Sequence, residues 1–279
     1  MGRLQLNGGG TLEFDDQGSG PAIVFLHGWS LGKEAFAKQR RELSERYRVV
    51  IPDMRGHGNS KQFAEGDGIH TLAGDLEQLL VELDLADVIL VGWSMGALVA
   101  WQTVEGPQRG RIRGIVTIDM VPRVLNGDGW QHGLRAGTHL YDIDIDLSKM
   151  RDDWRAFTRA YVPMVFASGK ASDRRELIDE MLELVSDNDL ESMTNLWHAL
   201  VHADYVDTVQ KLEVPTLITY GALSQIYTEE AAAWMDEHIP RSRRLRFAES
   251  GHAPHLEEPQ RFNQALADFA GELEQQGND

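Results

Sequence analysis

Nearly continuous apolar runs recur along the chain, each ended by glycine or a turn. They are "PAIVFLHG" (21–28), "YRVVIPDMRGHG" (47–58), "ADVILVGWSMG" (86–96), "IRGIVTIDMVPR" (112–123), "VPTLITYG" (214–221) and "RLRFAESGH" (244–252). A strand buried on both faces reads this way, because both alternating sets of its side chains must be apolar. Between the runs, residues 33–46, 70–84, 94–105, 228–238 and 258–275 space their apolar positions as helices do, and Pro259 stands near the start of the last, where proline is tolerated. The opening stretch "RLQLNGGGTLEFDDQG" (3–18) predicts two strands joined at a glycine-rich turn. The alternation predicts a doubly wound, mostly parallel α/β sheet of eight strands with a short antiparallel start.

One region breaks the rhythm. From about Leu125 to Gln210 no run predicts a buried strand. Helical spacing appears instead in "SKMRDDWRAFTRAYV" (148–162), "ASDRRELIDEMLELVS" (171–186) and "NDLESMTNLWHALVHA" (188–203). The expected organisation is a core of residues 1–124 and 211–279, with a helical cap, 125–210, inserted between two strands. The tail "EQQGND" (274–279) is expected to fray.

Composition narrows the classes. A chain of 279 residues with 42% apolar and 25% charged residues is long enough to bury a full α/β core. The net charge of −17 repels phosphate backbones, so a nucleic-acid partner is not expected. The absence of cysteine removes disulfides, thiolate zinc sites and cysteine nucleophiles. The N-terminal stretch does not read as a secretory signal, and no apolar run approaches 18 residues, so the expectation is a cytoplasmic protein without a membrane partner. Composition does not fix an oligomeric state.

The candidate chemistry begins at "GWSMG" (92–96). A Gly-x-Ser-x-Gly string is weak alone. Here a predicted strand enters it and a predicted helix leaves it. A turn that tight strains the serine backbone, needs small residues at 92 and 96, and lifts the Ser94 hydroxyl clear of the sheet. It also presents the Met95 amide at a helix N-terminus, which favours a developing negative charge. Ser94 is therefore a candidate nucleophile; an ordinary turn serine capping the helix is the plain alternative. The base should follow a late strand, where "AESGHAPHLEEP" offers His252, with His255 as its neighbouring rival. In "FLHGWSLG" (25–32) the Trp29 amide is left to donate to an oxyanion, with the Trp29 side chain lining an acyl pocket.

The ten histidines show no metal-binding pattern. The helical pair His198 and His202 lacks the adjacent glutamate of a zincin, and no dinucleotide fingerprint follows a strand. Neither a metal nor a cofactor is expected.

On the strings "FLHGW", "IPDMRGHGNS", "GWSMG", "VPTLITYG" and "SGHAPHLEEP" the chain resembles the α/β-hydrolase superfamily over nearly its whole length. Within it the chain is similar to serine carboxylesterases and to cofactor-free perhydrolases, although the latter typically carry proline where this chain has Ser30. The resemblance implies a helical cap over the site and acyl transfer from a small-molecule ester of short or medium acyl or alkyl groups. Epoxide hydrolases and haloalkane dehalogenases place aspartate where Ser94 stands. The resemblance also implies an acid three residues past the glycine of "PTLITYG", but that position is Ser224. Asp119, after "GIVTID", then becomes the candidate acid; Glu229, Glu230 and a dyad without an acid stay open. Candidate pocket walls are Trp29, Trp93 and Met95, with Trp130, Trp154, Met164 and Trp197 from the cap. Arg155, Arg159 and Lys170 could meet a charged substrate, and a carrier-protein substrate is conceivable. A lactonase, a perhydrolase or a ligand-binding pseudoenzyme are the alternative functions.

Overall fold

Eight strands form one sheet in a computed structural model that describes residues 1–61, 66–135 and 140–276. In chain order they are β1 (Gly2–Gln5), β2 (Thr11–Gln17), β3 (Ala22–Leu26), β4 (Arg48–Pro52), β5 (Val88–Trp93), β6 (Ile112–Ile118), β7 (Thr216–Gly221) and β8 (Ser242–Phe247). Their spatial order is β1-β2-β4-β3-β5-β6-β7-β8. β2 is antiparallel to both β1 and β4, and every other pairing is parallel. This is the doubly wound sheet with an antiparallel start that the apolar runs predict.

The helices are α1 (Ala37–Leu43), α2 (Ile69–Glu82), α3 (Met95–Glu105), α4 (Leu140–Asp152), α5 (Trp154–Val165), α6 (Arg175–Val185), α7 (Leu190–Val201), α8 (Val206–Gln210), α9 (Glu229–His238), α10 (Pro254–Glu257) and α11 (Pro259–Gln276). Alternation along the central strands divides the core in two. Ile23, Phe25, Val49, Ile51 and Val91 pack with Leu43, Phe262, Leu266 and Phe269 from α1 and α11. Val24, Leu26, Val50 and Leu90 pack with residues of α2 and α3 such as Leu76, Leu79, Leu98 and Val99. The edge strand β8 instead presents charge: Arg243, Arg244 and Arg246 pair with Glu272, Asp236 and Glu229, which blunts an exposed edge.

The chain between β6 and β7 carries α4–α8 and, among its described residues, no strand. Two expectations change. The stretch 148–162 is two helices, because Asp153 leaves helical geometry and its carboxylate caps α5 by accepting from the Ala156 amide at 2.9 Å. The tail is helical as far as Gln276, since Phe269, Ala270 and Leu273 anchor the last turns of α11 to the core; residues 277–279 lie outside the described part. No helix among the described residues is long and apolar enough to cross a membrane.

The chain passes from β3 to β4 on one side and then returns to β5 on the other. The C-terminal ends of β3 and β5 therefore flank the point where strand order reverses, which is where open α/β sheets bind ligands. Residues 27–30 and Ser94 emerge there.

Candidate active site

The turn from β5 into α3 is built on two backbone contacts. A Cβ at Gly92 would lie 2.5 Å from the Ala97 nitrogen, and one at Gly96 would lie 2.1 Å from the Leu26 carbonyl oxygen. Only glycine permits either approach. Between them Ser94 is held at φ 51° and ψ −119°, a strained conformation for a residue with a side chain. Its amide donates to the Ile118 carbonyl at 3.1 Å, which ties the turn to the end of β6.

Ser94 and His252 share the wall of one small cavity with Gly28, Trp29, Trp93 and Tyr161. His252 is buried, and its Nδ1 lies 2.7 Å from Asp119 Oδ2. A carboxylate can only accept, so Nδ1 carries the proton and Nε2 is left with a free lone pair. Two backbone bonds place the histidine: its amide donates to the Val165 carbonyl at 2.8 Å, and its carbonyl accepts from Trp93 Nε1 at 2.8 Å.

Asp119 follows β6 in a left-handed conformation, φ 43°, that aspartate tolerates. Its amide donates to the Thr219 carbonyl of β7 at 2.8 Å. The Ser224 hydroxyl donates to Asp119 Oδ2 at 2.7 Å and accepts from the Ile226 and Tyr227 amides at 3.2 and 3.3 Å. The position where the resemblance implies an acid thus holds a hydroxyl bonded to the carboxylate that follows the neighbouring strand. Glu229 pairs with Arg246 and Glu230 sits in the first turn of α9, and the carboxylate that His252 meets is that of Asp119. His255 packs between Phe36, Trp93 and Phe262, with both ring nitrogens buried and unpartnered among the described residues. Burial pushes it well below the usual histidine range, and it is not on the wall of the Ser94 cavity.

The turn after β3 is fixed from three sides. Ser30 takes φ 66°, its amide donates to His57 Nε2 at 3.1 Å, and its carbonyl accepts from the Asn188 side-chain amide. Trp29 Nε1 donates to the Met193 carbonyl at 2.9 Å. Among the described residues the Trp29 and Met95 amides donate to no protein acceptor, and Met95 opens α3, where first-turn amides are free.

His27 and His57 are both buried and both locked neutral. In each, Nδ1 donates to a carbonyl, of Gly28 and Arg55, while Nε2 accepts an amide, of Met54 and Ser30. Burial lowers both, His57 to about 3. In the unfolded chain a histidine takes a proton below about 6.5, so this contribution is whole above that pH and is lost as pH falls toward 3. Urea unfolding at pH 7 and pH 5 checks the sign. His57 alone should remove about 2 kcal/mol over that interval. Asp75 and Glu257, raised by burial, act the other way at lower pH. Stability equal at the two pH values would contradict the prediction.

The Ser94 cavity is only about 10 Å³, barely room for one water. A larger cavity of about 550 Å³ lies outside it, between α4, α5, α7 and the loop after β7, and its apolar lining includes Phe157, Met164, Trp197 and Ile226. Tyr161 lines both, which the sequence reading did not single out. Burial raises its hydroxyl to about 12, so it is neutral. A polar-ended aromatic on an amphipathic helix was the only signal it gave.

The expected walls divide accordingly. Trp29 and Trp93 line the inner cavity, and Met164 and Trp197 line the outer one. Trp154 lines neither; it packs edge-on behind Trp29 at 5.6 Å, its indole held by the Val185 carbonyl. Trp130 is elsewhere, edge-on to Trp234 at 4.7 Å with its indole donating to the Arg123 carbonyl. The Met95 side chain points into the core. Among the described residues no group of three His, Asp or Glu side chains could hold a metal ion. His198 and His202 stack on each other at 4.1 Å, and His139 lies outside the described residues.

Comparison with known proteins gives four points of reference. A profile described as the alpha/beta hydrolase family matches residues 23–265. The AB hydrolase superfamily protein YisY of Bacillus subtilis is 30% identical over 264 residues, 93% of this chain and 95% of that one. The structure of an esterase from Exiguobacterium antarcticum superposes with a TM-score of 0.88 at 28% identity, covering 96% of this chain and 98% of the other. A bromoperoxidase from Bacillus anthracis does so with a TM-score of 0.88 at 26% identity, covering 94% and 96%.

Proposed function

The chain belongs to the alpha/beta hydrolase family, and on that premise we propose that it is a serine hydrolase cleaving small-molecule carboxylic esters through an acyl-enzyme. The observation that carries this reading is the alignment of groups at one cavity. Ser94 stands on a strained elbow, and His252 shares its cavity with the proton held on Nδ1 by Asp119. Ser94 Oγ attacks the ester carbonyl carbon and His252 Nε2 takes the hydroxyl proton. The Trp29 and Met95 amides hold the oxyanion, and Asp119 stabilises the imidazolium. His252 returns the proton to the leaving alkoxide. Water, deprotonated by His252, then attacks the acyl carbonyl and frees Ser94 and the acid.

The cavities argue for size. The space at Ser94 admits only a small group, so one half of the ester is short and the other passes Tyr161 into the outer apolar cavity. The helical segment 125–210, which supplies most of the outer wall, acts as the cap. The oxyanion turn favours hydrolysis over the perhydrolase alternative: a proline at 30 could neither take φ 66° nor donate to His57.

Hydrolysis of p-nitrophenyl esters from acetate to decanoate tests the reading. Turnover on the short and medium esters, falling toward decanoate, is the expected result. Ligand binding by a folded protein that turns over none of the series would instead favour the pseudoenzyme alternative.

A further inference from the structure

Three segments meet behind His252. The end of α5 reaches the His252 amide through Val165, the loop after β7 reaches Ser250 through the Leu223 amide, and Ser168 donates to Leu223. The packing is backbone on backbone: a Cβ at Gly251 would lie 2.5 Å from the Phe166 carbonyl carbon. One side chain spans the joint. The Glu257 side chain is 0% exposed. Its Oε1 accepts the Gly251 amide at 2.6 Å, and its Oε2 accepts the Ala167 amide and Arg174 Nε, each at 3.0 Å. Gly251 immediately precedes His252, and Ala167 lies two residues past Val165, whose carbonyl holds the His252 amide.

From this geometry we propose that Glu257 is a positioning residue for the reaction. It locks the His252 loop to the helical segment between β6 and β7, so that the imidazole meets Asp119 and Ser94 together. The inference rests on the ester-hydrolase reading above. A carboxylate suits the place because it only accepts, and all three neighbours donate. An amide cannot substitute: one of its two ends would turn an N–H toward another N–H, and the loop would shift to relieve it. A displacement of an ångström or less at a catalytic base is enough to slow turnover strongly while leaving substrate binding alone.

Glu257→Gln is the test, read by kinetics and by proton NMR of the His252 Nδ1–H in the hydrogen bond to Asp119. The expected result is a folded protein with kcat down roughly 10- to 100-fold, KM within about twofold of wild type, and the imidazole proton shifted or broadened. Wild-type kcat with an unmoved imidazole proton would overturn the proposal. If Glu257→Gln does not fold, Glu257→Asp, one methylene too short to span the Gly251 and Ala167 amides without shifting the loop, carries the test. A loss in kcat of about threefold or more at constant KM supports the proposal, and wild-type kcat refutes it. If wild type itself cleaves no ester, the functional reading fails. The NMR comparison still decides whether Glu257 places the imidazole.

Discussion

Ser94→Ala is expected to fold and to lose ester turnover by roughly 10⁴- to 10⁶-fold, leaving only what the oxyanion donors and binding provide. Ser94→Gly is expected to be equally inactive but more stable. Ser94 sits at φ 51° and ψ −119°, where a non-glycine residue carries about 1–3 kcal/mol of strain. Alanine keeps that strain and glycine releases it. The melting temperature should therefore rise by a few degrees in the glycine variant alone. Calorimetry beside the p-nitrophenyl ester assay checks both halves. An alanine variant retaining more than about one per cent of wild-type turnover would remove Ser94 from the mechanism. A glycine variant melting below wild type would show that the elbow stores no strain.

Asp119→Asn should lower kcat by roughly 10³- to 10⁴-fold with little change in stability. Asparagine tolerates φ 43° as well as aspartate does, so the backbone stays. What is lost is the acceptor that keeps the proton on His252 Nδ1 and faces the imidazolium as a charge. The arrangement at Ser224 makes a sharper test. Its hydroxyl is 2.7 Å from the carboxylate oxygen that holds His252, and it already accepts the Ile226 and Tyr227 amides. An aspartate side chain can accept the same two amides in an Asx turn. Adding Ser224→Asp to Asp119→Asn is therefore expected to restore kcat by about tenfold or more over the single variant. Wild-type turnover by Asp119→Asn would end its assignment as the acid. Failure of the double variant to recover would mean that a carboxylate on the β7 loop cannot reach the imidazole here.

Much of the fold is legible in the sequence itself. A run apolar at nearly every position has only one comfortable place in an α/β protein, the middle of a parallel sheet, and five such runs, at β3 to β7, order the core, while the sixth becomes the charged edge strand β8. Gly92, Ser94 and Gly96 are legible for a similar reason. Their demand is local, set by how closely a strand and the following helix approach, and it falls on residues adjacent in sequence. His252 is legible from its place between the last strand and the last helices.

The rest depends on which chain segments become neighbours, and no periodicity encodes that. The sequence leaves Asp119, Glu229 and Glu230 as possible acids. Adjacency of β6 and β7 puts Asp119 against Ser224 and His252, while Glu229 is taken by Arg246 on β8. Trp130 and Tyr161 are both aromatics of the region between β6 and β7. Only the packing of α5 against Trp29 brings Tyr161 to both cavities and leaves Trp130 with Trp234. Glu257 shows the same division most clearly. In sequence it is a glutamate beside Glu258, which pairs with Arg261 near the surface. In the fold its side chain is buried against three donors, Gly251 six residues before it and Ala167 and Arg174 from one distant segment. The sequence by itself determined the sheet, the elbow serine and the histidine, because each follows from burial or backbone approach within a short window. The tertiary structure decided which carboxylate meets His252, which aromatic lines both cavities and what joins the segments behind the histidine, because each is a meeting of side chains and backbone far apart along the chain.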